Sequence, residues 1–228
     1  MQKIAFSEQL GLHDAVLSGV KTMTRRVIKN CHLAHPRFAF DNARRCVLYD
    51  GDKKVAVSRY HIGESVAISQ RYKDAWDIYQ KWWEYFKDDS NWRTPDAILG
   101  DSVQETPGWK NKMFVRADLM PYRIVITDIK AERLQSISND DIREEGIIPL
   151  VWRQYPSPDS DEYIDHDVWT LPKYEEAILD PWAESEPDEW MAEDPRTAFA
   201  VLIFKLLGRK VWYDNPWVFA YSFKAITR

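Results

Sequence analysis

Tyr122-Arg123-Ile124-Val125-Ile126-Thr127-Asp128-Ile129-Lys130-Ala131-Glu132-Arg133-Leu134 is the stretch that decides the fold. Ile124 and Ile126 alternate as a strand with one buried face requires. Ile129 and Ala131 alternate too, but out of phase with the first pair. A one-residue slip flips the buried face, so this long strand must bend or bulge, as at the corner of a small barrel. Near the C-terminus Trp217, Phe219, Tyr221 and Phe223 alternate without a slip and predict a final half-buried strand. A further strand, Glu64 to Gln70, follows Gly63 and carries Val66 and Ile68 on one face.

The first thirty residues read as strand, helix, basic strand. Lys3 to Phe6 is a short apolar run, and Ser7 is placed to cap a helix with Leu12, Ala15 and Val16 on one side. Gly19 stops that helix, because glycine accepts the left-handed conformation there. Cys46 to Val57 predicts a hairpin turning at Asp50-Gly51 in a type I′ turn. Asp74 predicts the cap of a helix with the stripe Trp76, Tyr79, Trp83 and Phe86. Ser138 and Asp141 form a capping-box-like pair flanked by Ile137 and Ile142, closed by Gly146. Asp194-Pro195 opens a last helix that buries Phe199, Leu202, Ile203 and Leu206 and ends at Gly208. The whole predicts an α+β fold of one domain, 1–228: a small β-barrel with flanking helices and large insertions.

Charge is unevenly spread. The net charge of −5 at first disfavours a nucleic-acid partner. Yet residues Pro149 to Pro195 hold 14 acidic and two basic side chains, leaving 29 basic against 22 acidic elsewhere. A body at +7 beside a segment at −12 sets a local field that an average conceals. Seven of the twelve prolines and four tryptophans lie in that segment, with no glycine, which predicts an ordered, aromatic-pinned excursion. A flexible acidic lid is the alternative, and a protein partner for 149–195 is a further reading.

Other chemistries are set aside on composition. No run of 18 apolar residues exists, so no membrane span and no membrane partner are expected. The N-terminus lacks a signal peptide's apolar run, and two cysteines make neither a disulfide framework nor a four-thiolate zinc site, so a reducing cytoplasm is expected. Cys31, His32, His35 and Cys46 fit no common zinc spacing. The acidic run from Asp159 to Asp167 has Tyr163 at position five and no glycine at six, unlike a calcium loop. Phosphate-loop, dinucleotide and nucleophile-elbow motifs are missing. No cofactor and no metal are expected.

What remains is Gly19-Val20-Lys21-Thr22-Met23-Thr24-Arg25-Arg26, which reads G-x-K-x-x-T-x-R. Lysine is a point-charge phosphate ligand, arginine a bidentate one, and threonine a small hydroxyl able to act as nucleophile. On a regular strand Lys21 and Thr24 face opposite ways, so a shared site requires irregular backbone just after Gly19. As plain structure, the same run is a solvated edge strand whose charges discourage pairing.

This motif, directly after an N-terminal helix, resembles the signature of the ASCH family, which has the PUA-like fold. Similar segments follow in the family's order: Ile62-Gly63-Glu64-Ser65-Val66, Trp109-Lys110-Asn111-Lys112-Met113-Phe114 as in phage- and prophage-type members, Arg123 to Ile137, Glu144-Glu145-Gly146-Ile147, and Asn215-Pro216-Trp217-Val218-Phe219. They cover about half the chain, leaving insertions at about 30–60, 73–108 and 148–195. The resemblance implies an RNA- or modified-nucleoside-binding protein with a basic cleft. It also implies an alternative, a metal-free amidohydrolase acting on N4-acetylcytidine-like acylated nucleobases through Lys21, Thr24 and Glu145. Some members are described as ribonucleases. A phage-derived protein-interaction or nucleic-acid-mimic role is a third reading.

Those residues support three chemistries. In hydrolysis Thr24 is the nucleophile, Lys21 a base if burial lowers its pKa, and Glu145 the acid for the leaving amine. In binding, Lys21 meets phosphate, Thr24 a base edge and Glu145 a cytosine amino group, with Arg25 and Arg26 as further ligand-binding candidates. In a purely structural role Glu145 pairs with Arg143 or Lys21. Trp76, Trp83 and Trp217 have the spacing of packing residues. Trp109, in a loop with Lys110 and Lys112, is the better base-stacking candidate.

Overall fold

The computed structural model describes residues 1–154, 164–175 and 191–227. It is a mixed α+β protein that divides into two compact units. The larger sheet has the order β1-β6-β7-β10-β2. Its strands are β1 (Lys3–Ile4), β2 (Met23–Val27), β6 (Ser65–Ile68), β7 (Tyr122–Arg133) and β10 (Trp217–Thr227). This order is open, and no pairing among the described residues closes it into the expected barrel.

One unit comprises Met1–Phe6, Gly63–Ile126 and Phe223–Arg228. Within it β1 runs parallel to β6, and β6 antiparallel to β7 with Ser65 opposite Val125. Helix α2 (Tyr72–Phe86) and the short α3 (Pro95–Leu99) complete it. Asp74 is not the cap of α2. The helix starts two residues earlier, and Asp74 at its third position accepts the Arg71 backbone N–H at 3.2 Å. The buried stripe is accordingly Tyr72, Ala75 and Tyr79, while Trp76 and Trp83 are half-buried and Phe86 exposed. The core adds Leu99, Val103, Val115 and Met120. Lys3 Nζ donates to the carbonyls of Met113 (2.7 Å) and Val115 (2.8 Å), and Lys112 Nζ to that of Phe6 (2.9 Å), lashing the 107–119 loop to the first strand.

The other unit comprises Ser7–Ile62 and Thr127–Ser222. Helix α1 (Leu12–Leu17) begins at Gly11, in the left-handed region, rather than at Ser7, whose hydroxyl accepts only the Leu10 N–H of the preceding turn at 3.3 Å. Gly19 terminates it at φ 79° as expected. A three-stranded sheet, β3 (Pro36–Phe40), β4 (Cys46–Asp50) and β5 (Lys53–Val57), contains the predicted hairpin. Its loop is Gly51-Asp52, one residue later than expected, and only Gly51 has a positive φ. Helix α4 (Asn139–Glu144) has the predicted cap, Ser138 Oγ accepting from the Asp141 N–H at 3.2 Å. Helix α5 (Pro195–Leu207) is capped by Asp194 as predicted, but Leu206 is exposed; α6 (Arg209–Asp214) follows.

Within the acidic segment β8 (Ile148–Gln154) and β9 (Ile164–Thr170) form an antiparallel hairpin. Trp152 lies 5.2 Å from the His166 ring and Trp169 beneath the Arg143 guanidinium at 5.2 Å. Residues 155–163 and 176–190 of the segment, among them Asp159, Asp161 and Glu162, lie outside the described residues.

β7 keeps the predicted phase slip. Ile124, Ile126, Ile129 and Ala131 are buried, Thr127 and Asp128 between them exposed, and the boundary between the two units falls at this slip. β10 was expected to be half-buried. Instead Val218, Phe219, Ala220 and Tyr221 are all buried, because the strand is interior to the sheet and covered on both faces. Among the described residues no helix is long and apolar enough to cross a membrane.

Candidate functional site

The site lies in the unit of Ser7–Ile62 and Thr127–Ser222. Two helix ends position Lys21. Its N–H donates to Ala15 O of α1 at 2.8 Å, and the next N–H, of Thr22, to Glu144 O of α4 at 2.8 Å. This is the irregular backbone after Gly19 that convergence requires, since regular strand begins only at Met23. Gly146 closes α4 at φ 94°, and a Cβ there would stand 3.1 Å from Lys21 Cβ. Positive φ and this close approach both call for glycine.

Lys21 and Glu145 meet as a buried pair. Lys21 Nζ bonds Glu145 Oε2 and donates to the Glu145 backbone carbonyl at 2.9 Å. The two residues are 2% and 4% exposed. Arg25 Nη1 donates to the other carboxylate oxygen, Oε1, at 2.9 Å. Arg25 also bridges Glu132 (Nε at 3.1 Å, Nη2 at 2.7 Å) and Asp141 (Nη2 at 2.6 Å), with the Phe199 ring 5.8 Å from its guanidinium carbon. Lys130 completes the cluster by pairing with Asp141 and, at 3.4 Å, with Glu132. Three carboxylates thus surround one planar guanidinium, the geometry for which arginine is suited and lysine is not.

The electrostatics follow from burial. Burial lowers the Lys21 pKa more than the Glu145 carboxylate restores it, and Arg26 and Arg25 push the same way. Burial also opposes the charges of Arg25 and Asp141, but there the partners win. Glu145 and Glu132 hold Arg25 above its ordinary value, and Lys130 and Arg25 hold Asp141 below its own.

Thr24 sits on β2 opposite Tyr221 of β10. It is 5% exposed, and its hydroxyl makes no hydrogen bond among the described residues. Tyr221 accepts the Arg59 backbone N–H at 3.0 Å, packs edge-on to Tyr60 at 5.2 Å, and has its phenol pushed up to about 12 by burial. Arg26, next on β2, is exposed and within electrostatic reach of Tyr60, Tyr221 and Glu145.

Of the expected trio, Lys21 and Glu145 are joined by hydrogen bonds, and Thr24 is buried on the adjoining strand without a bond to either. Glu145 pairs with Lys21 and Arg25; Arg143 instead pairs with Asp140 at 3.0 Å. Lys21 and Arg25 spend their charges inside the protein, so Arg26 is the member of the three that faces solvent. Trp109 is half-buried and packs edge-on to Trp76 at 6.1 Å, Lys110 is exposed, and Lys112 holds the Phe6 carbonyl. Those three belong to the other unit.

Glu132, Asp141, Lys130 and Tyr221 did not stand out in the sequence. A signal existed in β7, where Lys130 and Glu132 alternate with the buried Ile129 and Ala131 on a strand otherwise rich in apolar residues. Charges on the second face of a mostly apolar strand mark a polar interior. Both cysteines are free and buried, and burial pushes the Cys46 thiol up to about 11, far from a reactive thiolate. Neither a family model, nor a curated protein, nor a solved structure matches the chain.

Proposed function

We propose that the chain is an amidohydrolase acting on an acylated nucleobase of the N4-acetylcytidine type, built on an ASCH-like, PUA-like fold. The observation that carries this reading is the buried Lys21–Glu145 pair, formed by the two charged members of the trio. The phase slip in β7 supports the fold reading.

A buried lysine with a lowered pKa gives up its proton more readily than a solvated one, and Glu145 Oε2 is positioned to take it. The neutral amine then accepts the Thr24 Oγ1 proton as that oxygen bonds to the amide carbon. Glu145 returns its proton to the exocyclic nitrogen as the C–N bond breaks, freeing cytidine and leaving an acetyl ester on Thr24. Water adds to the ester carbon and its proton passes to Glu145. Thr24 Oγ1 recovers a proton from Lys21 as the C–Oγ1 bond breaks, acetic acid departs and ionises in solvent, and the Glu145 proton returns to Lys21. Arg25 holds Glu145 Oε1 throughout, leaving Oε2 turned to Lys21. Arg26 supplies the solvent-facing cation beside which the nucleoside rests.

The binding reading keeps the same ligand without turnover. A polyphosphate backbone is the weaker partner for this site, because phosphate contacts need solvent-facing cations and Lys21 and Arg25 are buried in ion pairs. The experiment is intact-protein mass spectrometry after mixing with N4-acetylcytidine. An acetyl adduct that maps to Thr24 supports the reading; cytidine formation with Thr24→Val as active as the wild type removes it.

A further inference from the structure

A groove of about 520 Å³ lies within the other unit, between α2 and α3. We propose that it binds a small planar aromatic ring carrying an amine and a single anionic group. This inference is independent of the hydrolase reading and shares no residue with it.

The volume falls in the range of sites that enclose a small organic ligand. The walls are aromatic: Tyr79 and Trp82 from α2, and Trp92 from the loop that follows. These rings are held in place. Tyr79 OH donates to Leu119 O at 3.0 Å, and Trp82 meets Trp92 edge-on at 6.2 Å. Phe86 stacks on Trp92 at 4.6 Å and 7° from outside the groove's lining, which fixes the indole while the groove meets the rest of it. The loop itself is tied by turn bonds, Trp92 N–H to Asp89 O at 3.0 Å and Asn91 N–H to Asp89 Oδ1 at 2.9 Å. A site whose anchors are rigid before binding loses little entropy on binding.

Two polar groups define what the ring must carry. Arg93 lines the groove and makes no ion pair or hydrogen bond among the described residues, so its guanidinium is available to a carboxylate or phosphate. Asn91 gives its Nδ2 to Asp89 Oδ1 at 2.9 Å and keeps its carbonyl oxygen as an acceptor for a ring amine. No carboxylate lines the groove. Asp88 and Asp89 in the same loop and Asp96 on α3 oppose a longer polyanion, which limits the ligand to one anionic group. A nucleoside monophosphate and an aminobenzoate share this chemistry.

Isothermal titration calorimetry of the full chain with AMP, anthranilate, adenosine and inorganic phosphate separates these sources. Saturable binding of AMP, of anthranilate or of both is expected, with adenosine and phosphate alone weaker by about tenfold, the loss of one charge-assisted hydrogen bond or of the stacking ring. Arg93→Gln is expected to weaken the charged probes by a similar factor. Ala97→Phe, an exposed residue of α3 that lines the groove, is expected to abolish binding by filling it without disturbing the core. No heat with any probe at millimolar concentration overturns the inference, as does binding that survives both substitutions unchanged.

Discussion

Arg25 Nη1 and Glu145 Oε1 lie 2.9 Å apart, and this bond settles which way the Glu145 carboxylate faces. With Oε1 held by the guanidinium, Oε2 is left to the Lys21 ammonium. One arginine, at a variable position of the G-x-K-x-x-T-x-R pattern, thereby organises the only two residues of the expected trio that touch.

Removing that arginine is expected to be costly. Arg25→Met leaves Glu132, Asp141 and Glu145 with one cation fewer in a buried cluster, and breaking a buried ion network from one side costs about 3–5 kcal/mol. Arg25→Lys recovers part of this at most, because a single ammonium cannot reach three carboxylates in the fork geometry. Urea unfolding of the two variants beside the wild type reads both quantities.

Gly146→Ala tests the backbone that brings α4 to Lys21. A non-glycine residue at φ 94° is strained by roughly 1–2 kcal/mol, and its Cβ presses on Lys21 Cβ. A lowered melting temperature is expected together with reduced turnover. Gly100→Ala, at φ 100° but with open space around it, is expected to lose stability with turnover kept.

The acid limb of the stability profile belongs in part to Asp141. Its folded pKa is held below the ordinary 3.8, so the unfolded chain binds the proton more tightly and protonation favours unfolding. The stability it supplies is complete above 3.8 and is lost as pH falls through the lower folded value. Asp141→Asn is expected to flatten the change in urea midpoint between neutral pH and pH 3. Lys21 has the opposite form. Its folded pKa lies below 10.5, so the stability gained by releasing its proton grows as pH rises from the folded value towards 10.5. Lys21→Met is expected to remove that alkaline gain.

Much of the scaffold was legible because its signals are local. Ser138, Asp194, Gly19 and Gly146 each mark a helix end through their own backbone or side-chain chemistry, and each is where it was expected. The slip between Ile126 and Ile129 likewise marks a real change of buried face. What escaped depends on long-range pairing. The exposed strand Pro36–Phe40 is defined by its ladder with β4, and β10 is buried on both faces because of its sheet neighbours, neither of which alternation can report. In the site, Lys21 is reached through a motif and Glu145 through the resemblance of the short helix that precedes Gly146. Glu132 and Asp141 were missed because their role exists only once β7 and α4 bring them to Arg25.

The central claim concerns Thr24, whose hydroxyl makes no hydrogen bond among the described residues. The direct measurement is chromatographic: cytidine formed from N4-acetylcytidine by the wild type and by Thr24→Val, with urea unfolding of both. Steady turnover by the wild type, none by Thr24→Val, and stabilities within about 1 kcal/mol of each other are the result expected of a catalytic hydroxyl. Equal turnover by the two proteins, or no cytidine from the wild type, contradicts it.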